Sequence, residues 1–263
     1  MDVDHILDGD QLFLIVGPCV IESEEICFTV AEQVKELSEK YEIPAIFKSS
    51  YVKANRTSGD SFAGHGMEFG LKILEKVRNQ FDLPILTDVH ETSETRIVAE
   101  VADILQIPAF LSRQTELIRQ AAATGKWINI KKGQFLAPED MEKAAAKAQS
   151  GKVILTERGA SFGYHNLVVD FRSLIIMQKF GYPVVYDATH SLQLPTGAGS
   201  YSSGQPEFVL PMARAAVSTG INGVFLECHP EPAKALSDAA TMLPLDQLET
   251  FIRDIKNIRM AIS

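Results

Sequence analysis

A closed (β/α)8 TIM barrel in a single domain is the fold the sequence predicts, and three observations predict it. A short apolar run, a polar turn and a segment of helical period recur eight times in 263 residues, a length that suits one such barrel. The runs are nearly continuous in apolar residues, as strands buried on both faces of a parallel sheet must be. Links leaving several of the runs are long and rich in Gly, Ser and Asn, whereas links leading into them are short. In a barrel the long links share one end, where sites are built. The alternative is an open doubly wound sheet, and no G-x-G-x-x-G follows the first run to support it.

Taken in order, residues 1–11 are a short acidic extension, and the single domain spans 1–263. The predicted strands are 12–16, 45–48, 85–88, 104–107, 127–131, 153–157, 184–187 and 223–227. After the first, Ser23 is a suitable N-cap, Glu24 and Glu25 favour the opening turn, and Ile26, Val30, Val34, Leu37 and Tyr41 share one face. The same logic predicts helices over 67–79, 93–101, 114–123, 138–149, 171–180, 206–219 and 245–262. Pro138 fits a first helical turn, and Gly125, Gly151, Gly181 and Gly220 fall where helices stop. Residues 192–205, L-Q-L-P-T-G-A-G-S-Y-S-S-G-Q, are the best stretch for a mobile lid. Trp127, Met212 and Met242 read as interior packing, and His65 as surface.

The composition narrows the function. Hydrophobic residues at 46% and charged residues at 22% describe a globular protein with a large core. A net charge of −9 argues against a nucleic-acid or anionic-membrane surface. No run approaches the roughly 18 apolar residues of a membrane span, and the N-terminus lacks the order of a signal peptide. Cys19, Cys27 and Cys228 are three unrelated cysteines, as expected of reduced thiols, so a cytoplasmic location is expected.

Within this acidic chain the stretch 48–58, K-S-S-Y-V-K-A-N-R-T-S, concentrates cations directly after a strand. Lys48 and Lys53 are compact point charges, Arg56 offers a planar fork, and Thr57 adds a hydroxyl, the inventory of an anion site. Other strands end similarly: Cys19 and Glu22, Asp88 and His90, Gln106, Lys131 and Lys132, Glu157 and Arg158, Asp187 and His190, Glu227 and His229. Lys131 and Arg158 join Lys48 and Lys53 as a ring for one small anion, leaving Arg56 for a second. Cys19, His190 and Glu227 come from the first, seventh and eighth strands, neighbours in a closed barrel. Thiolate, imidazole and carboxylate suit Zn²⁺, Fe²⁺ or Mn²⁺, with Asp238 as a fourth ligand. His229 competes for that role, and rim salt bridges with a buried cysteine are the plainer alternative.

G-P-C-V-I-E-S (17–23), F-K-S-S-Y-V-K-A-N-R-T-S (47–58), N-I-K-K-G-Q-F-L-A-P (129–138), Y-D-A-T-H-S-L-Q (186–193) and L-E-C-H-P-E-P-A-K-A-L-S-D (226–238) resemble the 3-deoxy-D-manno-octulosonate 8-phosphate synthase family. The likeness extends over nearly the whole chain. It implies a homotetrameric barrel that condenses phosphoenolpyruvate with arabinose 5-phosphate and water, releasing phosphate, in lipopolysaccharide biosynthesis. By the same resemblance Lys48, Lys53, Gln106, Lys131 and Arg158 hold phosphoenolpyruvate. Asn55, Arg56, Thr57 and Asp88 hold the arabinose phosphate, and Arg113 reaches a neighbouring subunit's site. Catalytic roles fall to Lys48, Lys53, Asn55, Asp88 and His190. Cysteine after G-P marks the metal-dependent class, which makes Cys19, His190, Glu227 and Asp238 ligands of a divalent ion. Departures from the pattern are Thr57 for serine, Ala63 for arginine, and an uncharged lid. The rivals are the sister synthase using erythrose 4-phosphate, whose K-P-R-T differs from K-A-N-R here, a Schiff-base aldolase using Lys131, and a barrel kept as a binding module.

Overall fold

The computed structural model describes residues 2–54, 62–194 and 203–262. Eight parallel strands run β1 Phe13–Gly17, β2 Ala45–Lys48, β3 Ile85–Asp88, β4 Ile104–Ile107, β5 Trp127–Lys131, β6 Val153–Glu157, β7 Val184–Asp187 and β8 Gly223–His229. Each pairs with the next, and β8 returns to β1 with Gly223 opposite Phe13 and Glu227 opposite Gly17, so the sheet closes into a (β/α)8 barrel. The first strand begins one residue later than predicted and the last runs two residues further. The intervening helices are α2 Glu24–Tyr41, α3 Met67–Phe81, α4 Thr95–Ala99, α5 Thr115–Ala122, α6 Asp140–Ala146, α7 Arg172–Gln178, α8 Val209–Val217 and α9 Leu248–Ile262, numbered after the α1 described below.

Local chemistry explains the boundaries. Ser23 accepts a hydrogen bond from the Ile26 N–H at 3.1 Å, the N-cap of α2, and Val30, Val34 and Leu37 bury the predicted face while Ile26 and Tyr41 lie at its edges. Pro138 stands ahead of α6 instead of inside it, its carbonyl accepting from Met141 N–H. Gly125, Gly181 and Gly220 take left-handed φ of +77°, +77° and +81°, but beyond α6 Gln149 and not Gly151 makes that turn.

The residues ahead of β1 are more than an extension. Val3–Leu7 form α1, whose Ile6 and Leu7 are buried against Phe13, Ile46, Trp127 and Phe225 at the amino end of the barrel. Trp127 Nε1–H and the Lys152 ammonium both donate to the Asp4 carboxylate, so the helix is pinned as a plug. Met242 is buried and Met212 half-buried. Among the described residues no helix is long and apolar enough to cross a membrane.

Two apolar layers result from strand alternation. Leu14, Val16, Phe47, Leu105, Ile128, Ile130 and Leu155 point outward to the helices, while Phe13, Ile15, Ile46, Leu86, Ile104, Ile154, Val185 and Phe225 fill the interior. On the inward face the next position toward the carboxyl end changes from apolar to polar: Lys48 after Ile46, Asp88 after Leu86, Gln106 after Ile104, Asp187 after Val185, Glu227 after Phe225. The barrel is therefore dry at its base and charged at its mouth.

Candidate active site at the mouth of the barrel

A cleft of about 540 Å³ opens at the carboxyl ends of the strands, and Lys48, Lys53, Asp88, Gln106, Lys131, Arg158 and His190 line it. All five residues expected to hold phosphoenolpyruvate are thus together. Lys48 is held by Glu227 Oε1 at 2.8 Å and the Cys19 carbonyl at 3.0 Å. Lys53 lies 3.9 Å from both Glu227 and Asp238. Lys131 donates to Asp187 at 2.6 Å and sits 3.8 Å above the centre of the Phe225 ring, whose π-face attracts a cation. Arg158 donates to Gln193 at 3.0 Å, and its Nη1 is buried without a partner among the described residues.

Burial of charge sets the electrostatics. Burial lowers Lys131 and Arg158 below their ordinary values, partly offset by Asp187. For Lys53 burial works the same way, but Cys19, Glu227 and Asp238 outweigh it and hold the ammonium well above its usual range. Burial opposes ionisation of Asp88, yet Lys48, Lys53 and His90 hold it below the carboxylate range. Asp88 accepts from Ser50 and from Gln106.

The second constellation also assembles. Ligating atoms of Cys19, Glu227 and Asp238 lie within 4.8 Å of one another, and His190 Nε2 is 3.5 Å from Glu227 and 4.0 Å from Asp238. The Cys19 Sγ is 3.0 Å from both the Asp238 carboxylate and the Ser237 hydroxyl. Burial, then Asp238 and Glu227, push the thiol well above its ordinary range, an arrangement a divalent cation would reverse by favouring the thiolate. Glu227 Oε2 is buried with no hydrogen-bond partner among the described residues. A soft sulfur, an imidazole and two carboxylates around such an orphaned acceptor fit a divalent metal. Asp238 holds this place with φ of +49°, a conformation Asp tolerates better than most residues.

Two expectations need correction. Lys132 and Glu157 end strands but do not join the mouth: they lie 3.3 Å apart, and Glu157 accepts from Ser173 of α7 at 2.7 Å. The period of two turns them outward beside Lys131 and Arg158, which point in. His229 likewise stays out of the metal cluster; its Nδ1 accepts from Glu231 N–H at 2.9 Å, and its Nε2 is 3.9 Å from Glu22. Arg113, expected to reach a neighbouring subunit's site and not its own, is exposed on the loop after β4 and does not line this cleft. His65 is exposed as expected.

Asn55, Arg56 and Thr57, expected at the sugar phosphate, and most of the lid stretch 192–205 lie outside the described residues; Gln193–Leu194 and Ser203–Gly204 pair antiparallel at its ends. The sequence reading assigned no role to Asp187, whose carboxylate holds Lys131 and, at 2.9 Å, His190 Nδ1. Its signal was present: an acid ending β7 three residues before a histidine. Phe225 and Gln193 were also missed, since an apolar floor and a neutral amide carry no mark of chemistry.

Comparison with known proteins accounts for this arrangement. The DAHP synthetase I family is matched over residues 4–263. The chain is 54% identical to the 2-dehydro-3-deoxyphosphooctonate aldolase of Cyanothece sp., an alignment covering 97% of this chain and 95% of that protein. Proteins of the same name from Laribacter hongkongensis and Dichelobacter nodosus are 56% and 54% identical, covering 90% and 97% of this chain and 87% and 93% of theirs. The barrel, the cation-lined mouth and this end-to-end similarity together establish that the chain belongs to the DAHP synthetase I family.

Proposed function

We propose that this protein is a 2-dehydro-3-deoxyphosphooctonate aldolase, the 3-deoxy-D-manno-octulosonate 8-phosphate synthase. It condenses phosphoenolpyruvate with D-arabinose 5-phosphate and water to give the eight-carbon keto-acid phosphate and inorganic phosphate. The observation that carries the reading is identity above half to proteins of that name over nearly the full chain, with buried cations converging where a doubly anionic enol phosphate would sit. In this reading Lys48, Lys53, Gln106, Lys131 and Arg158 grip the enol phosphate. Asp88, with Asn55, Arg56 and Thr57, orients the sugar phosphate. C3 of the enol attacks the aldehyde carbon, whose oxygen takes a proton; water adds at C2, and the phosphate leaves. Holding the two reactants in register is worth up to about 7–11 kcal/mol of the barrier.

We assign the metal-dependent class: Cys19, His190, Glu227 and Asp238 would hold Zn²⁺, Fe²⁺ or Mn²⁺. When bound, such an ion supplies Lewis acidity and fixed positive charge at this edge of the cleft. Asp187, 2.9 Å from His190 Nδ1, orients the ring so that Nε2 faces Glu227 and Asp238, where the ion would be held. A homotetramer in which Arg113 reaches a neighbour's sugar phosphate is supported by that residue's exposure and by bare Phe110, three residues before it, and Phe135, 59% and 56% exposed.

Phosphate release by the purified protein tests the reading. With phosphoenolpyruvate and arabinose 5-phosphate we expect turnover about 100-fold above that with erythrose 4-phosphate, since a site built to bind hydroxyls rejects substrates lacking them. Equal or faster turnover with erythrose 4-phosphate would overturn the assignment in favour of the sister reaction. A borohydride-trapped adduct on Lys131 would overturn the enol mechanism; the 2.6 Å ion pair of that lysine with Asp187 disfavours such an adduct.

A further inference from the structure

Behind the cation ring a chain of side-chain hydrogen bonds crosses four consecutive strands. Thr156 of β6 donates to Asn129 Oδ1 at 2.6 Å. Asn129 of β5 donates through Nδ2 to Gln106 Oε1 at 2.8 Å. Gln106 of β4 donates through Nε2 to Asp88 of β3, whose other oxygen accepts from Ser50. Thr156 and Asn129 are fully buried, Gln106 is 2% exposed, and neither Thr156 nor Asn129 lines the cleft.

The chain runs in only one direction. An ionised carboxylate only accepts hydrogen bonds, so the Gln106 atom facing Asp88 is nitrogen and the atom facing Asn129 is oxygen. Asn129 must then present nitrogen to Gln106 and oxygen to Thr156, whose hydroxyl closes the series as donor. Once its oxygen is engaged by Asn129 and one N–H by Asp88, Gln106, a residue that lines the cleft, has a single N–H left to offer. A carboxamide alone has two orientations of similar shape, and the reversed one would turn a carbonyl toward an anion.

We propose that Asn129 and Thr156 are positioning residues for the enol phosphate, acting through Gln106 to keep an N–H donor aimed at the substrate. The proposal rests on the reading that Gln106 faces phosphoenolpyruvate. Removing a link leaves a buried amide oxygen without its donor, which in a dry interior is costly enough to swing the amide out of line.

Steady-state kinetics with each substrate varied separately, on wild type, Gln106→Ala, Asn129→Leu, Thr156→Val and Thr156→Ser, test it. Asn129→Leu and Thr156→Val are expected to raise KM for phosphoenolpyruvate about fivefold or more. KM for the aldose phosphate and kcat should move by less than about twofold, and Thr156→Ser, which keeps the hydroxyl, should restore the wild-type KM. A merely structural role would lower kcat through lost active protein and leave both KM values alone. If Gln106→Ala raises KM for phosphoenolpyruvate while Thr156→Val leaves it unchanged, the positioning proposal is overturned and the substrate assignment stands. If Gln106→Ala itself has no effect on that KM, the assignment beneath the proposal falls with it. Should Asn129→Leu fail to fold, the Thr156 pair, which changes one methyl or hydroxyl, decides alone.

Discussion

Cys19 is the residue on which the metal reading turns. Its burial raises the cost of a thiolate, yet it lies among Lys48, Lys53 and the orphaned Glu227 oxygen. Cys19→Asn should therefore keep measurable synthase activity and become indifferent to a chelator, whereas the wild type loses nearly all activity; assays with and without chelator read both. A Cys19→Asn protein still abolished by chelator would remove Cys19 from the ligand set. Asp88 makes the pH prediction. Its folded-state pKa lies below its unfolded value because Lys48, Lys53 and His90 outweigh burial, so the unfolded chain binds more protons in acid. Its contribution is complete above the ordinary carboxylate range near pH 4 and is lost as pH falls through that range toward the folded value. The gap in Tm between wild type and Asp88→Asn should be widest at neutral pH and shrink steadily below about pH 4. A gap independent of pH would contradict this. Most of these residues were legible because they are polar groups ending apolar runs. Lys132 and Glu157 misled because a strand end alone does not say which face a side chain takes.

Among the elements, all eight strands were readable, since a continuous apolar run has few other uses in so ordinary a composition. Gly17 shows what such a run conceals: a Cβ there would come within 2.0 Å of the Lys48 backbone oxygen, a close approach of β1 and β2 visible only once the strands are paired. The N-terminal helix was hidden for a different reason. With five residues, Val3–Leu7 is too short to display a helical period, and its stability comes from docking, not propensity. Trp127→Phe keeps most of the buried ring but removes the donor to Asp4. It should cost about 1 kcal/mol and lower Tm by roughly 2–4 °C in a domain of this size. Calorimetry showing no change would mean that Trp127 contributes packing alone.

At the scale of the whole molecule, the proposed homotetramer would have Phe110 and Phe135 to cover, both exposed in the single chain. Phe110→Glu should shift the mass measured by light scattering from an assembly toward one chain. Arg113→Ala should leave the mass unchanged while raising KM for the sugar phosphate about tenfold, as loss of a charged contact would. An Arg113→Ala enzyme with unaltered KM would confine that arginine to the surface.

The alternation that aims Lys131 inward and Lys132 toward the helices gives the barrel wall something like a reading frame. Deleting one residue from Trp127–Lys131 would swap the two lysines, pull Asn129 out of its chain of bonds and turn apolar neighbours toward the mouth. Such a wall absorbs exchange of one side chain for another far better than gain or loss of a single unit, so length change in this protein belongs to its loops.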